Sequence, residues 1–217
     1  MSASLADRLK AETRSLHLAA ERSAFMAALM RGEVDRPAYC ALLCNLAALY
    51  GALEPALARH AAHPLLAPVH APALFRGAAL ARDLALLHGA AWADELSLLP
   101  ATQAYVARLH ELDAGEPGLL LAHAYVRYLG DLSGGQMLRR VVARNPALGG
   151  GQGVAFYDFG DPLATRALTE SFRAGLSAIR PERAEADALV AEAQTAFVRH
   201  EHLFRELSAD PVQEETS

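Results

Sequence analysis

The chain has 217 residues, enough for one domain with a sizeable core, and 53% of them are hydrophobic, which excludes intrinsic disorder. Its formal charge of -5 gives no global attraction to nucleic acid or to anionic membranes, so a site for an acidic ligand must be a local basic patch. The two cysteines, Cys40 and Cys44, cannot build a disulfide framework or a four-ligand zinc site; they read as buried thiols on one helix face and fit a reducing cytoplasm.

Alanine and leucine dominate and β-branched residues are sparse, so helices are expected throughout. The first helix is predicted from Ser4 to Met30, with Ser4 as N-cap, an apolar stripe of Leu5, Leu9, Leu16 and Ala20, and Gly32 as the stop. Asp7, Arg8, Lys10 and Glu12 interrupt this start, so no signal peptide is expected. A second helix is predicted over 36–60, entered through Asp35 and Pro37, with Leu42, Leu46, Leu49 and Leu53 in a three-to-four residue rhythm. Pro64, Pro68 and Pro72 mark a loop. Helices follow over 73–88, 101–113 and 117–145, the last entered through Glu116 and Pro117. A glycine-rich irregular stretch then occupies 146–162, and helices over 163–178 and 182–207 close the chain. The expectation is an all-α, single-domain bundle of seven or eight helices over 1–207, with a polar tail over 208–217. No run reaches the roughly 18 apolar residues that span a bilayer, so no membrane anchor is expected.

The predicted helix over 117–145 carries Tyr125-Val126-Arg127-Tyr128-Leu129-Gly130-Asp131-Leu132-Ser133-Gly134-Gly135-Gln136. Three glycines fall within six residues, each costing roughly 1 kcal/mol against alanine in a helix interior. A kink or a close helix crossing would explain one of them. Gly130 and Gly134 share a face, and Gly135 is expected to widen it into a strip of bare backbone that suits a flat, rigid ligand. Arg127 and Asp131, four apart, form a polar pair beside that strip, able to hold an ordered water.

This segment resembles the distal-helix signature of the heme oxygenase family. Further resemblance runs in order along the chain: Leu-His-x-x-Ala-Glu at 16–21, Phe25-Met26, Tyr-x-Ala-Leu-Glu at 50–54, Ala-Leu-x-x-Asp-Leu-Ala at 79–85, Tyr-Val-x-Arg-Leu-His-Glu at 105–111 and Glu-Ala-x-x-Ala-Phe at 192–197. The resemblance implies heme b, as substrate and cofactor, sandwiched between the first (proximal) helix and a glycine-kinked distal helix. It implies oxidation to biliverdin, ferrous iron and carbon monoxide with molecular oxygen and external electrons. His17 would be the proximal iron ligand, its tautomer fixed by Glu21 one turn later. Lys10, Arg14 and Arg173 would meet the propionates, and Met26, Tyr125, Ser133 and Phe197 would line the heme. Asp131 would organise a proton-delivering water network with Tyr50 and Arg127, while Gly130 and Gly134 let the backbone crowd bound oxygen. The donor would be a redox protein, a ferredoxin or a flavoprotein reductase, and the enzyme a cytoplasmic monomer.

Two positions depart from the family pattern. Thr169 stands where a further lysine is common, so Arg166 is the candidate to compensate. His200 stands where relatives carry an asparagine, and is assigned to the protein surface in preference to the distal network. Three other readings stay open: a heme carrier without turnover, a thiaminase-like hydrolase using Cys40 or Cys44, and a purely structural adaptor. A di-iron carboxylate bundle is excluded, because repeated Glu-x-x-His pairs are missing.

Overall fold

The computed structural model describes residues 4–148 and 150–209. All regular structure among them is helical: α1 (Leu5–Glu12), α2 (Arg14–Glu21), α3 (Ala24–Arg31), α4 (Arg36–Arg59), α5 (Gly77–Leu87), α6 (Trp92–Glu95), α7 (Pro100–Gly115), α8 (Leu120–Arg144), α9 (Pro162–Ala178) and α10 (Arg183–Ser208), with short 3-10 turns between. The all-α class is as expected, with more helices than the seven or eight predicted. Most of the predicted tail, 210–217, and Gly149 lie outside the described residues.

The excess arises largely at the start, where the single predicted helix is three. The Thr13 hydroxyl donates to the Leu9 carbonyl at 2.7 Å, back-bonding that bends a helix, and α2 begins immediately after. Ser23 then caps α3 by accepting the Met26 N–H at 3.4 Å. The predicted terminators act where expected. Ser4 caps α1, Gly32 ends α3 at φ 72°, and Asp35 accepts the Ala38 N–H at 2.9 Å to start α4.

α4 is the central element: Tyr39, Leu43, Leu46, Tyr50 and Leu53 are buried against α5, α7 and α8. Its length and apolar composition would suffice to cross a membrane, contrary to the sequence expectation, yet 72% of its most apolar window is buried inside the fold. α10 packs against α1, α2, α3, α7 and α8. It therefore contacts both α2 and α8, as α3 does on a smaller scale.

The glycine-rich stretch after α8 is irregular but pinned. Asp83 accepts the N–H groups of Ala155 and Phe156 at 2.9 and 2.7 Å. Tyr39 donates to the Gly153 carbonyl at 3.1 Å, and buried Arg76 donates to the Asp158 carbonyl at 2.7 Å while lying over the Phe159 ring. Glu54 in turn accepts the Arg76 and Gly77 N–H groups, capping α5 from α4. These anchors fix the floor on which α8 rests.

Candidate active site

α8 runs unbroken through its three glycines, and none of them has positive φ. The backbone therefore does not require glycine there. A Cβ built on Gly130 or Gly134 would meet nothing within 4 Å, so both open onto a bare, exposed face. Ser133 is exposed beside them, and Met137, one turn on, is 60% exposed. Gly135 departs from the expectation: it is buried, and a Cβ there would lie 3.4 Å from the Tyr157 ring. It serves packing and does not widen the strip.

Beneath this face lies a buried polar cluster. The Tyr50 hydroxyl on α4 donates to Asp131 Oδ2, and Arg127 Nη2 donates to Asp131 Oδ1 at 2.8 Å. Arg127 Nε donates to the Tyr50 oxygen at 3.1 Å, and its guanidinium carbon sits 5.3 Å from the Tyr50 ring centre. Burial raises the Asp131 carboxyl above the usual carboxylate range, and the Arg127 charge and Tyr50 hydroxyl oppose that rise. Burial likewise raises Tyr50, which stays a neutral phenol. Burial disfavours the Arg127 cation, but Asp131 and Tyr50 outweigh it and hold the guanidinium charged.

Arg127 has a third partner. His200 on α10, assigned from sequence to the surface, is 3% exposed, and its Nε2 lies 3.0 Å from Arg127 Nη1. The correction has a physical cause: Ala193, Ala196, Phe197, Leu203 and Phe204 share its helix face and are all buried. Next to it a second buried chain links the Tyr105 hydroxyl to His123 Nδ1 at 2.9 Å, His123 Nε2 to Glu192 at 3.0 Å, and Glu192 to Arg108 at 2.8 Å. Periodicity cannot reveal partners contributed by three helices.

On α2 the His17 side chain is 48% exposed, with Nδ1 3.5 Å from Glu21 Oε2. Phe197 meets its ring edge-on, centroids 5.8 Å apart. Met26 is half-buried on α3, and Tyr125 is half-buried on the same helix as Asp131. Lys10 and Arg14 are exposed on α1 and α2, and α1 packs against α9, which carries exposed Arg173. Arg173 lines a groove of about 420 Å³ with Leu132, Gln136, Arg140 and Arg166. Thr169 spends its hydroxyl on the Thr165 carbonyl at 2.8 Å, and Arg166 pairs with Glu170 at 2.7 Å. Neither arrangement replaces a lysine directly. Cys40 and Cys44 are free and buried, and burial raises both thiols, the reverse of what a nucleophile needs.

The chain matches the family described as heme oxygenase over residues 3–206. It is 37% identical over 210 residues to heme oxygenase 1 of Nostoc sp., covering 97% of this chain and 88% of that protein. To heme oxygenase 1 of Homo sapiens it is 38% identical over 209 residues, covering 95% and 73% respectively. Among solved structures it resembles heme oxygenase-1 from the cyanobacterium Synechocystis sp. in complex with heme, at a TM-score of 0.88 and 36% identity, covering 95% of this chain and 93% of that one.

Proposed function

Since this chain belongs to the heme oxygenase family and is an enzyme acting on heme, we propose that it cleaves heme b oxidatively to biliverdin, ferrous iron and carbon monoxide at the face between α2 and α8. The observation that carries the reading is the bare strip at Gly130 and Gly134 directly above the buried Tyr50–Arg127–Asp131 cluster. A flat macrocycle fits an open helix face without side chains, and an imidazole with one nitrogen turned toward a carboxylate fits an axial ligand.

Heme, when bound, supplies the iron that activates dioxygen and the porphyrin edge that is oxidised. His17 holds it through Nε2, while Glu21 orients the ring through Nδ1. Phe197 supports the His17 ring, and Met26 adds apolar surface. Lys10, Arg14 and Arg173 meet the carboxylates of the substrate, with Arg140 lining the same groove as Arg173, whereas Arg166 there is paired with Glu170. Ser133 borders the strip, and Tyr125 adds half-buried aromatic surface earlier on the same helix.

Asp131 moves the proton. Each of its carboxylate oxygens accepts one hydrogen bond from Tyr50 or Arg127 and keeps a second lone pair for a water on the Gly130 side. Its raised affinity for protons suits passing one to that water at neutral pH. Tyr50 and Arg127 hold the carboxylate in place. Electrons come from an external acidic redox protein, a ferredoxin or flavoprotein reductase, drawn to Arg140 and Arg173. The enzyme works as a cytoplasmic monomer.

The test is an absorption titration with hemin, followed by ascorbate or a ferredoxin system under air. A Soret band that decays into bilin absorption is expected. A protein that gives no such band with hemin, or a stable ferrous–oxy spectrum without bilin, would sink the reading.

A further inference from the structure

We propose that His200 is a positioning residue for this reaction: an uncharged acceptor on α10 that fixes the Arg127 guanidinium, and through it the Asp131 carboxylate and the Tyr50 hydroxyl. The inference rests on the reading above and deepens it, because it assigns a residue outside the cluster that handles the proton.

The tautomer follows from its partners. Nδ1 lies 2.9 Å from the Ala196 carbonyl, which can only accept, so Nδ1 carries the hydrogen. Nε2 is then the acceptor, as the Arg127 Nη1 facing it at 3.0 Å requires, since a guanidinium has only hydrogens to give. A protonated imidazole would set two cationic donors against each other. Burial, then the Arg127 charge, hold the ring neutral by pushing its pKa down to about 3.

Arg127 thereby has anchors on three helices: Tyr50 on α4 at 3.1 Å, Asp131 on its own helix at 2.8 Å, and His200 on α10 at 3.0 Å. Without the third anchor, the long side chain would be held only by the two groups it is meant to hold. His200 is itself braced. Tyr105 stands edge-on to it, centroids 5.1 Å apart, and the Tyr105 hydroxyl is tied into the His123–Glu192–Arg108 chain. Every polar atom of the His200 ring is paired, so its position is defined from both sides.

The experiment compares the parent with His200→Leu and His200→Gln. In heme-free protein labelled with 15N-arginine, resolved and slowly exchanging Arg127 guanidinium hydrogens are expected in the parent. They collapse to an averaged signal in the Leu variant and return in the Gln variant, whose amide oxygen can accept. With hemin, ascorbate and air, the Leu variant is expected to bind hemin within about twofold of the parent but form bilin about tenfold more slowly, the loss of one charge-assisted hydrogen bond. The Gln variant should recover most of that rate. Averaged arginine hydrogens in the parent, parental bilin rates in the Leu variant, or equal impairment of both variants would each overturn the proposal. If the Leu variant does not fold, the parent and Gln spectra still decide it. A parent that makes no bilin sinks the functional reading, and the arginine spectrum separately decides the geometry.

Discussion

The His17 imidazole stands edge-on to Phe197, centroids 5.8 Å apart, and Phe197 lies one turn before His200 on α10. One rigid helix thus touches the candidate iron ligand on one side and, through His200, the Arg127–Asp131 pair on the other. α10 links the two sides, since it packs against both α2 and α8. A consequence is that the ligand can be removed without disturbing the opposite side.

His17→Ala should therefore leave the fold intact. The side chain is 48% exposed and makes no buried hydrogen bond, so the stability change is expected within about 0.5 kcal/mol. Hemin titration should give a weakened and shifted Soret band that added imidazole restores. A band identical to the parent's would remove His17 as the ligand.

Gly130→Ala separates function from folding. The new methyl group meets open space in the heme-free protein, and alanine is the better helix former by about 1 kcal/mol. Thermal melting of the heme-free variant should hold or rise. Bilin formation should fall, because under the proposed reading the methyl group stands where the macrocycle and dioxygen approach. An unchanged rate would return Gly130 to a purely structural role.

Asp131→Asn keeps the volume and an acceptor for Arg127 but loses the carboxylate that we propose takes up and releases a proton. Hemin binding should persist while bilin formation falls at least about a hundredfold, the usual scale for losing a proton-transfer group. Single-turnover absorption traces under air would measure it. Parental turnover in this variant would exclude Asp131 from proton delivery.

Stability should decline on mild acidification, largely through histidine. The His200 pKa is pushed down to about 3 by burial first, and burial also lowers His123. His200 is neutral in the folded chain and burial disfavours the charged form of His123 there, whereas unfolded histidines take up protons near pH 6.5. The unfolded state therefore binds more protons below that pH, and His200 costs up to about 1.4 kcal/mol per pH unit as pH falls from about 6.5, with His123 acting in the same direction. Urea midpoints between pH 7.5 and 4.5 should fall more steeply for the parent than for His200→Gln. Parallel curves would place a charged imidazole in the folded state.

The long helices were legible because their stripes end at residues with a mechanism, such as Asp35 before α4 and Gly32 after α3. The breaks at Thr13 and Ser23 were not, since one hydroxyl inside an amphipathic stripe fits an unbroken helix until its bond to the backbone is seen. α6, at Trp92–Glu95, is too short to show a period. In the site, the spacing of Arg127, Gly130, Asp131 and Gly134 along one helix was readable. Gly135 was misassigned, because one step of about 100° turns it away from Gly134 and toward Tyr157. His200 carried a signal that the adjacent charged residues masked: buried apolar neighbours three and four positions away on both sides.

A glycine outside the site gives the sharpest structural contrast with Gly130. A Cβ on Gly175 of α9 would collide with the carbonyl oxygen of Pro68 and press on Val69 at 3.3 Å. Backbone cannot yield as a flexible side chain does, so α9 must move away from the loop that follows α4. Overpacking of this kind costs about 1–3 kcal/mol. Gly175→Ala should therefore lower the urea midpoint of the heme-free protein, where Gly130→Ala does not. Because α9 also carries Arg173 and packs on α1, the displacement should weaken hemin affinity while leaving the Arg127–Asp131 geometry unchanged. Equal midpoints for Gly175→Ala and the parent would mean that α9 and the Pro68 turn do not touch as described.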